Sequence, residues 1–397
     1  MRKLVGLVAL VLAGAAIASL VGCALISGPT TTASTTTIST TTTTTEPPAS
    51  WEQLQPAGAV PAPRCYQAMV YDAITHRVLM IGGFDGTKAI AETWAYDANG
   101  DSWAKLNPAG KGQPSEAEEL PAVFDPSTKK VIAFDGTTWG YDATANMWKA
   151  LSPKSRLKSA RKGASMVLDS SNGKLLLFGG TDMTKWYNET WSYDPVTNGW
   201  MNLQPAGDVP PGRSDAGMAY DPTSEKVILF GGVDADFNCL SDTWSYDPAT
   251  NSWTKLATDG APSARCGHGM AYDPHTKMII LFGGIDSQFT CYNDTWAFDP
   301  AAGTWTQLHP VGSSPSVRGR SALVYSADMD KLVLFGGATI EADSSGGLGT
   351  QVLLNDTWVY GVNLGTGGAG SEGTTVPPAT STTLSALGAA ATTAAAP

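Results

Sequence analysis

The apolar positions of this chain recur in short runs separated by turn residues, and one stretch shows the scheme. Ser214 to Asp221 alternates small and apolar residues, Asp221-Pro222 with Ser224 supplies turn chemistry, and Lys226 to Phe230 is a β-branched and aromatic run closed by Gly231-Gly232. That pattern predicts a hairpin. Thr243-Trp244-Ser245-Tyr246 alternates with period two, Asp247-Pro248 with Asn251 makes a second turn, and Trp253-Thr254-Lys255-Leu256 reads as a short outer strand. The unit is therefore four short antiparallel strands.

The unit repeats. Its glycine pairs are Gly82-Gly83, Gly179-Gly180, Gly231-Gly232, Gly283-Gly284 and Gly336-Gly337, with a degraded copy at Asp135-Gly136, a period near fifty-two residues. Repeats of this length bury their faces only against one another, and four-stranded repeats are the blades of a β-propeller. Of 13 tryptophans, six open the third strand (Trp94, Trp139, Trp191, Trp244, Trp296, Trp358) and six sit on the fourth (Trp51, Trp103, Trp148, Trp200, Trp253, Trp305), leaving Trp186 over. The last copy stops at Trp358-Val359-Tyr360 without a fourth-strand tryptophan, while Trp51 to Gly58 closely matches Trp200 to Gly207. The expectation is an all-β, six-bladed propeller over residues 51–361, closed by Trp51 to Leu54 as the outer strand of blade six, so that no sheet edge stays free.

The double glycine, the Tyr/Phe-Asp pair and the trailing tryptophan resemble Kelch repeats, the blade type also found in the central domain of galactose-oxidase-like proteins. The resemblance spans all six copies and implies the propeller fold; what the protein does must be read from its own site.

The ends predict location. Met1-Arg2-Lys3 is a basic n-region, Leu4 to Leu20 an apolar core, and Leu20-Val21-Gly22-Cys23 resembles a bacterial lipobox. Residues 1–22 read as a lipoprotein signal peptide and Cys23 as the lipidated first residue, which implies a firm acyl anchor at the outer face of a bacterial membrane. Plain secretion with cleavage near Ala24 is the alternative. Residues 23–50, with an unbroken Thr40 to Thr45 run, read as a solvated tether, and residues 362–397 as a low-complexity Gly/Thr/Ala tail.

A net charge of −11 argues against nucleic acid or an anionic membrane surface as the main partner. Cys65, Cys239, Cys266 and Cys291 remain once Cys23 is set aside, an even number that permits disulfides in an exported protein. Cys239 with Cys266 is the preferred pairing among three. Metal-ligand spacing is lacking, and no cofactor is expected.

Strand direction gathers the second-to-third loops and the inter-blade loops on one rim. Arg64, Arg161, Arg213, Arg265 and Arg318 each lie eighteen residues before the first glycine of their blade, and Asp85, Asp182, Asp234 and Asp286 three residues after it. Two readings stand: these groups satisfy one another and hold blade to blade, or they form a charged ring at the channel mouth that takes a polar ligand. Departures from symmetry add a notch at blade two, whose second-to-third loop is lost, and a flap at blade six over residues 338–355. Acidic Glu116, Glu118 and Glu119 flank the notch on one side and basic Lys154, Arg156, Lys158, Arg161 and Lys162 on the other. Rim aromatics suited to sugar stacking or protein contact include Phe84 and Trp186. The expected contact set is Lys154, Arg156, Lys158, Lys185, Trp186, Tyr187, Phe237, Phe289 and Tyr292.

A copper-oxidase site is not evident, because only His268 and His309 fall near the rim. No Ser-His-Asp order, nucleophile elbow or phosphate loop is visible. The function expected is therefore a non-catalytic, monomeric binding module in the cell envelope, presenting its rim to an extracellular or envelope protein or a glycan and touching membrane only through its lipid. A sugar-acid mutarotase-like enzyme at the channel mouth is the alternative, and a structural scaffold in an envelope assembly the second.

Overall fold

The computed structural model describes residues 49–110, 112–114, 118–258, 260–341 and 350–361, together with the backbone of 381–383. Cys23, the leader, the threonine-rich segment, Glu116 and most of the tail lie outside these residues. Among the described residues every regular element is a strand. Five antiparallel sheets of four consecutive strands span 68–106, 122–150, 165–202, 217–256 and 269–308. In the sixth, Ala322–Ser326, Lys331–Glu341 and Thr350–Gly361 are followed outward by Ser50–Leu54, with Trp51 opposite Tyr360 and Leu54 opposite Thr357. Strand Ser381–Thr383 pairs further along Thr350–Gly361. The six-bladed propeller and its closure by the N-terminal strand are as the repeat predicts.

The blades bury both faces of their second strands. Val78 to Ile81, Val131 to Phe134 and Val227 to Phe230 are each almost wholly inaccessible, because the neighbouring blades cover the two sides of each sheet. Every outer-strand tryptophan reaches back to the preceding blade. Trp51, Trp103, Trp148, Trp200, Trp253 and Trp305 donate their indole N–H to the buried hydroxyls of Thr295, Thr357, Thr93, Thr138, Thr190 and Thr243, at 2.8 to 3.1 Å. The rings also pack on that blade's second strand, Trp51 on Phe282 at 4.7 Å and Trp253 on Phe178 at 5.1 Å. The Thr-Trp pair of the repeat thus serves two blades: threonine accepts the next blade's indole, and tryptophan packs its own.

The glycine pairs are required by close approach. Gly231 has φ +63°, and a side chain there would meet the Arg265 carbonyl at 2.5 Å. Residues 338–341 and 350–355 of the expected flap at blade six are strand, since pairing continues beyond a bulge at Phe335/Gly337, from Gly337 opposite Leu354 to Glu341 opposite Thr350. The second and third strands of that blade simply run on above the others.

Candidate binding site at the channel mouth

The five arginines are buried, and their partners differ from those the sequence suggested. Arg213 binds Asp242 through two bonds of 2.6 and 2.9 Å, Arg265 binds Asp294 likewise, and Arg318 binds Asp356 at 2.6 and 2.8 Å. Arg64 pairs with Glu92 and Arg161 with Glu189. Each also donates to the carbonyl of the first glycine of its blade. The acid is the residue two before the third-strand tryptophan and accepts that indole N–H as well, as Asp242 does from Trp244 at 2.7 Å. Burial would raise the Glu92 carboxyl, but the Lys105 ammonium, the Trp94 indole and the Arg64 guanidinium outweigh it and hold it at about 2. The first of the two readings holds only in that the arginines are satisfied inside the protein: their side chains are clamps within a blade, spent on glycine carbonyls and on acids other than Asp85, Asp182, Asp234 and Asp286, and they do not line the mouth.

Asp85, Asp182, Asp234 and Asp286 cap their own loops instead. Asp85 accepts the backbone N–H of Thr87 and Lys88, and Asp234 those of Asp236 and Asn238, all at 2.9 Å. The Thr184 and Tyr187 hydroxyls hold the Asp182 carboxyl below the usual range, and Asp286 accepts the Tyr292 hydroxyl.

The expected contact residues divide. Tyr187 is buried under the Arg161 guanidinium at 3.7 Å, and Tyr292 carries Arg265 at 4.3 Å. Both belong to the clamps. Phe237 and Phe289 are 65 and 42% exposed, Met183 joins them, and Phe237 meets half-buried Trp186 edge-on at 5.4 Å. Lys185 is exposed beside them. Lys154, Arg156 and Lys158 are also exposed, but their loop is bound to the outer hairpin of blade three, through Lys154 N–H to the Asn198 carbonyl and Ser155 Oγ to the Trp200 carbonyl. They flank the side of the blades and take no part in lining the mouth. At the notch, Glu118 pairs with Lys162, so its acidic and basic flanks meet each other.

The mouth itself is built two residues beyond the arginine column, at Tyr66, Glu119, Gly163, Asp215, Gly267 and Arg320. All six have φ between +53° and +64°. Their backbones close a circle around the channel: Tyr66 N–H donates to Arg320 C=O, Arg320 to Gly267, Gly267 to Asp215, Asp215 to Gly163, Gly163 to Glu119 and Glu119 to Tyr66, at 2.5 to 3.2 Å. Six left-handed residues are tolerated because each gains a bond to its neighbour in the ring.

This circle frames a cavity of about 230 Å³. One side carries Gln67, His268 and Ser321, the other Leu120, Ala164 and Ala216, with Met166, Met218, Met270 and Leu323 also in the wall. Gln67 Oε1, both His268 ring nitrogens and Ser321 Oγ are buried without a hydrogen-bond partner. Arg320 stacks over Tyr66 at 4.8 Å and, among the described residues, makes no ion pair. Burial and the charges of Asp215 and Glu118 push the Glu119 carboxyl up to about 8, and burial pushes Asp215 to about 6 against the pull of Arg320. Burial and the Arg265 charge depress His268 to about 3, so its imidazole is neutral. The arrangement offers one free guanidinium, a carboxyl able to donate, and several unsatisfied polar atoms on one wall.

Sequence reasoning passed over Arg320, Tyr66 and Asp215. Their signal was available: in a repeat where the arginine column hardly varies, the position two residues later reads Tyr, Glu, Gly, Asp, Gly and Arg.

Comparison with known proteins gives concordant matches. The domain described as KLHDC2/KLHL20/DRC7 Kelch-repeats matches residues 123–337 and 223–382. Mei4-dependent protein 6 of Schizosaccharomyces pombe is 25% identical over 205 residues, covering 47% of this chain and 29% of that protein. Acyl-CoA-binding domain-containing protein 4 of Arabidopsis thaliana is 29% identical over 188 residues, covering 46% of this chain and 26% of that protein. The flagellar outer arm dynein alpha chain of Chlamydomonas reinhardtii is 29% identical over 167 residues, covering 40% of this chain and 3% of that one. The chain thus spans under a third of the length of each relative.

Proposed function

The chain belongs to the Kelch-repeat domain family, and from that premise we propose that it is a protein-binding module whose partner inserts a carboxylate at the channel mouth. The observation that carries this reading is Arg320, a guanidinium that makes no ion pair among the described residues, in a cavity where Gln67 Oε1, both His268 ring nitrogens and Ser321 Oγ also lack partners. An Asp or Glu side chain, or the terminal carboxylate of a peptide, would take the arginine fork, and the N–H of the neutral His268 imidazole and the Ser321 hydroxyl offer it further bonds. Exposed Phe237, Phe289 and Lys185, with Trp186 beside them, supply the flanking contacts.

Fluorescence polarisation with a panel of acidic and C-terminal peptides tests it. Binding should weaken tenfold or more in Arg320→Ala, about 1.4 kcal/mol or above, while the variant keeps its melting temperature. Peptides that bind Arg320→Ala as well as wild type would refute the site. Glucuronate and sialate belong in the same panel, because the Glu119 carboxyl at about 8 beside Arg320 suits acid–base chemistry on a sugar acid. Sugar binding without peptide binding would favour that second reading.

The proposal also places the propeller at a cell envelope through Cys23. The intact mass of the mature protein checks this: loss of residues 1–22 with added acyl mass is expected, and an unmodified Cys23 would remove the anchor.

A further inference from the structure

Cys239 and Cys266 meet where the blade-four rim loop joins the start of blade five. Their sulfurs stand 3.1 Å apart, and both face the Ile285 carbonyl, at 3.4 and 3.7 Å. Backbone bonds set this approach. Cys239 N–H donates to Ser287 Oγ at 2.7 Å, Arg265 N–H to the Leu240 carbonyl, and Cys266 exchanges both its bonds with Ile285.

The ring supplies its own controls. Cys291 holds the corresponding loop position in blade five, where its sulfur faces the Ala338 carbonyl at 3.8 Å and the residue across from it is Gly319. Cys65 holds the position of Cys266 in blade one, where it packs against Ala338 and Leu353. Of these equivalent junctions, the one between blades four and five places a thiol on each side.

We propose that Cys239 and Cys266 are a disulfide-forming pair that pins the blade-four rim loop to blade five. Bonding needs the sulfurs to close by about 1 Å, since a disulfide spans roughly 2.05 Å. The oxidant is an external disulfide, small or protein-borne. One thiolate of the pair attacks it and releases one thiolate; the other thiolate then attacks the mixed disulfide and releases the second. Two thiols lose two electrons and two protons, and one external disulfide becomes two thiols. The bond ties down the loop that carries Phe237, and Cys266 adjoins Gly267 of the peptide circle, so rim and mouth are fixed together.

The test is made on the full-length protein, equilibrated with oxidised glutathione, alkylated and digested with trypsin. Peptides 227–255 and 266–277 hold Cys239 and Cys266 with no internal Lys or Arg. They should appear cross-linked, with Cys65 and Cys291 alkylated, and the oxidised protein should melt a few degrees higher until dithiothreitol reverses the gain. In Cys266→Ser, glutathione should remain on Cys239 as an unresolved mixed disulfide. Separate alkylation of Cys239 and Cys266 in the oxidised wild type would overturn the proposal, as would a cross-link that uses Cys291 or Cys65.

Discussion

Arg318 and Arg320 stand two residues apart and do opposite things. Arg318 is inaccessible and bidentate on Asp356, whereas Arg320 lies over Tyr66 and faces the cavity. Removing a clamp arginine strands an acid in a partly dry site. Arg213→Ala should therefore cost about 3 kcal/mol, the low end for a broken buried pair because Asp242 keeps some solvent. Arg320→Ala should cost under about 1 kcal/mol, because its side chain makes no ion pair among the described residues and its contact is the Tyr66 ring. Urea midpoints separate the two, and equal losses would mean that Arg320 is also structural. The clamps were legible as a column of arginines, but their acids were not. Asp85 and Glu92 lie in the same loop, and only the folded path decides that Asp85 caps backbone while Glu92 meets Arg64.

At the level of the strand, each outer tryptophan couples two blades through one indole. Trp253→Ala should cost about 3 to 5 kcal/mol for the lost ring, and Trp253→Phe about 1 to 3 kcal/mol, because Thr190 keeps a buried hydroxyl without its donor. Guanidinium unfolding of both variants measures the ordering; a phenylalanine variant as stable as wild type would show that packing alone holds the blades. The sequence announced these strands and counted them by their tryptophans. It did not announce that Thr190 serves blade four, since that bond joins residues sixty-three positions apart. Nor did it show that residues 338–341 and 350–355 extend two strands, because a longer spacing past the glycines reads as a longer loop.

Across the propeller as a whole, groups at the mouth tilt stability with pH in opposite directions. His268 has its folded value depressed to about 3, so its contribution is present above its ordinary value near 6.5 and is lost as pH falls from there towards 3. Glu119 has its folded value raised to about 8, so its contribution is complete below the ordinary carboxylate range and is lost as pH rises through 8. Melting temperatures against pH should show Glu119→Gln losing less stability than wild type between about pH 5 and 8; an unchanged profile would mean the carboxyl titrates as it does in water. Six glycine pairs or their remnants, twelve tryptophans in two columns and an orphan strand at Trp51 determined the blade count, the strand order and the closure, because each is a local pattern copied at a fixed spacing. What the mouth presents was decided by tertiary structure. Tyr66, Glu119, Asp215 and Arg320 hold one repeat position in four blades but differ in residue type, and only closing the ring sets them on one circle of peptide bonds around one cavity.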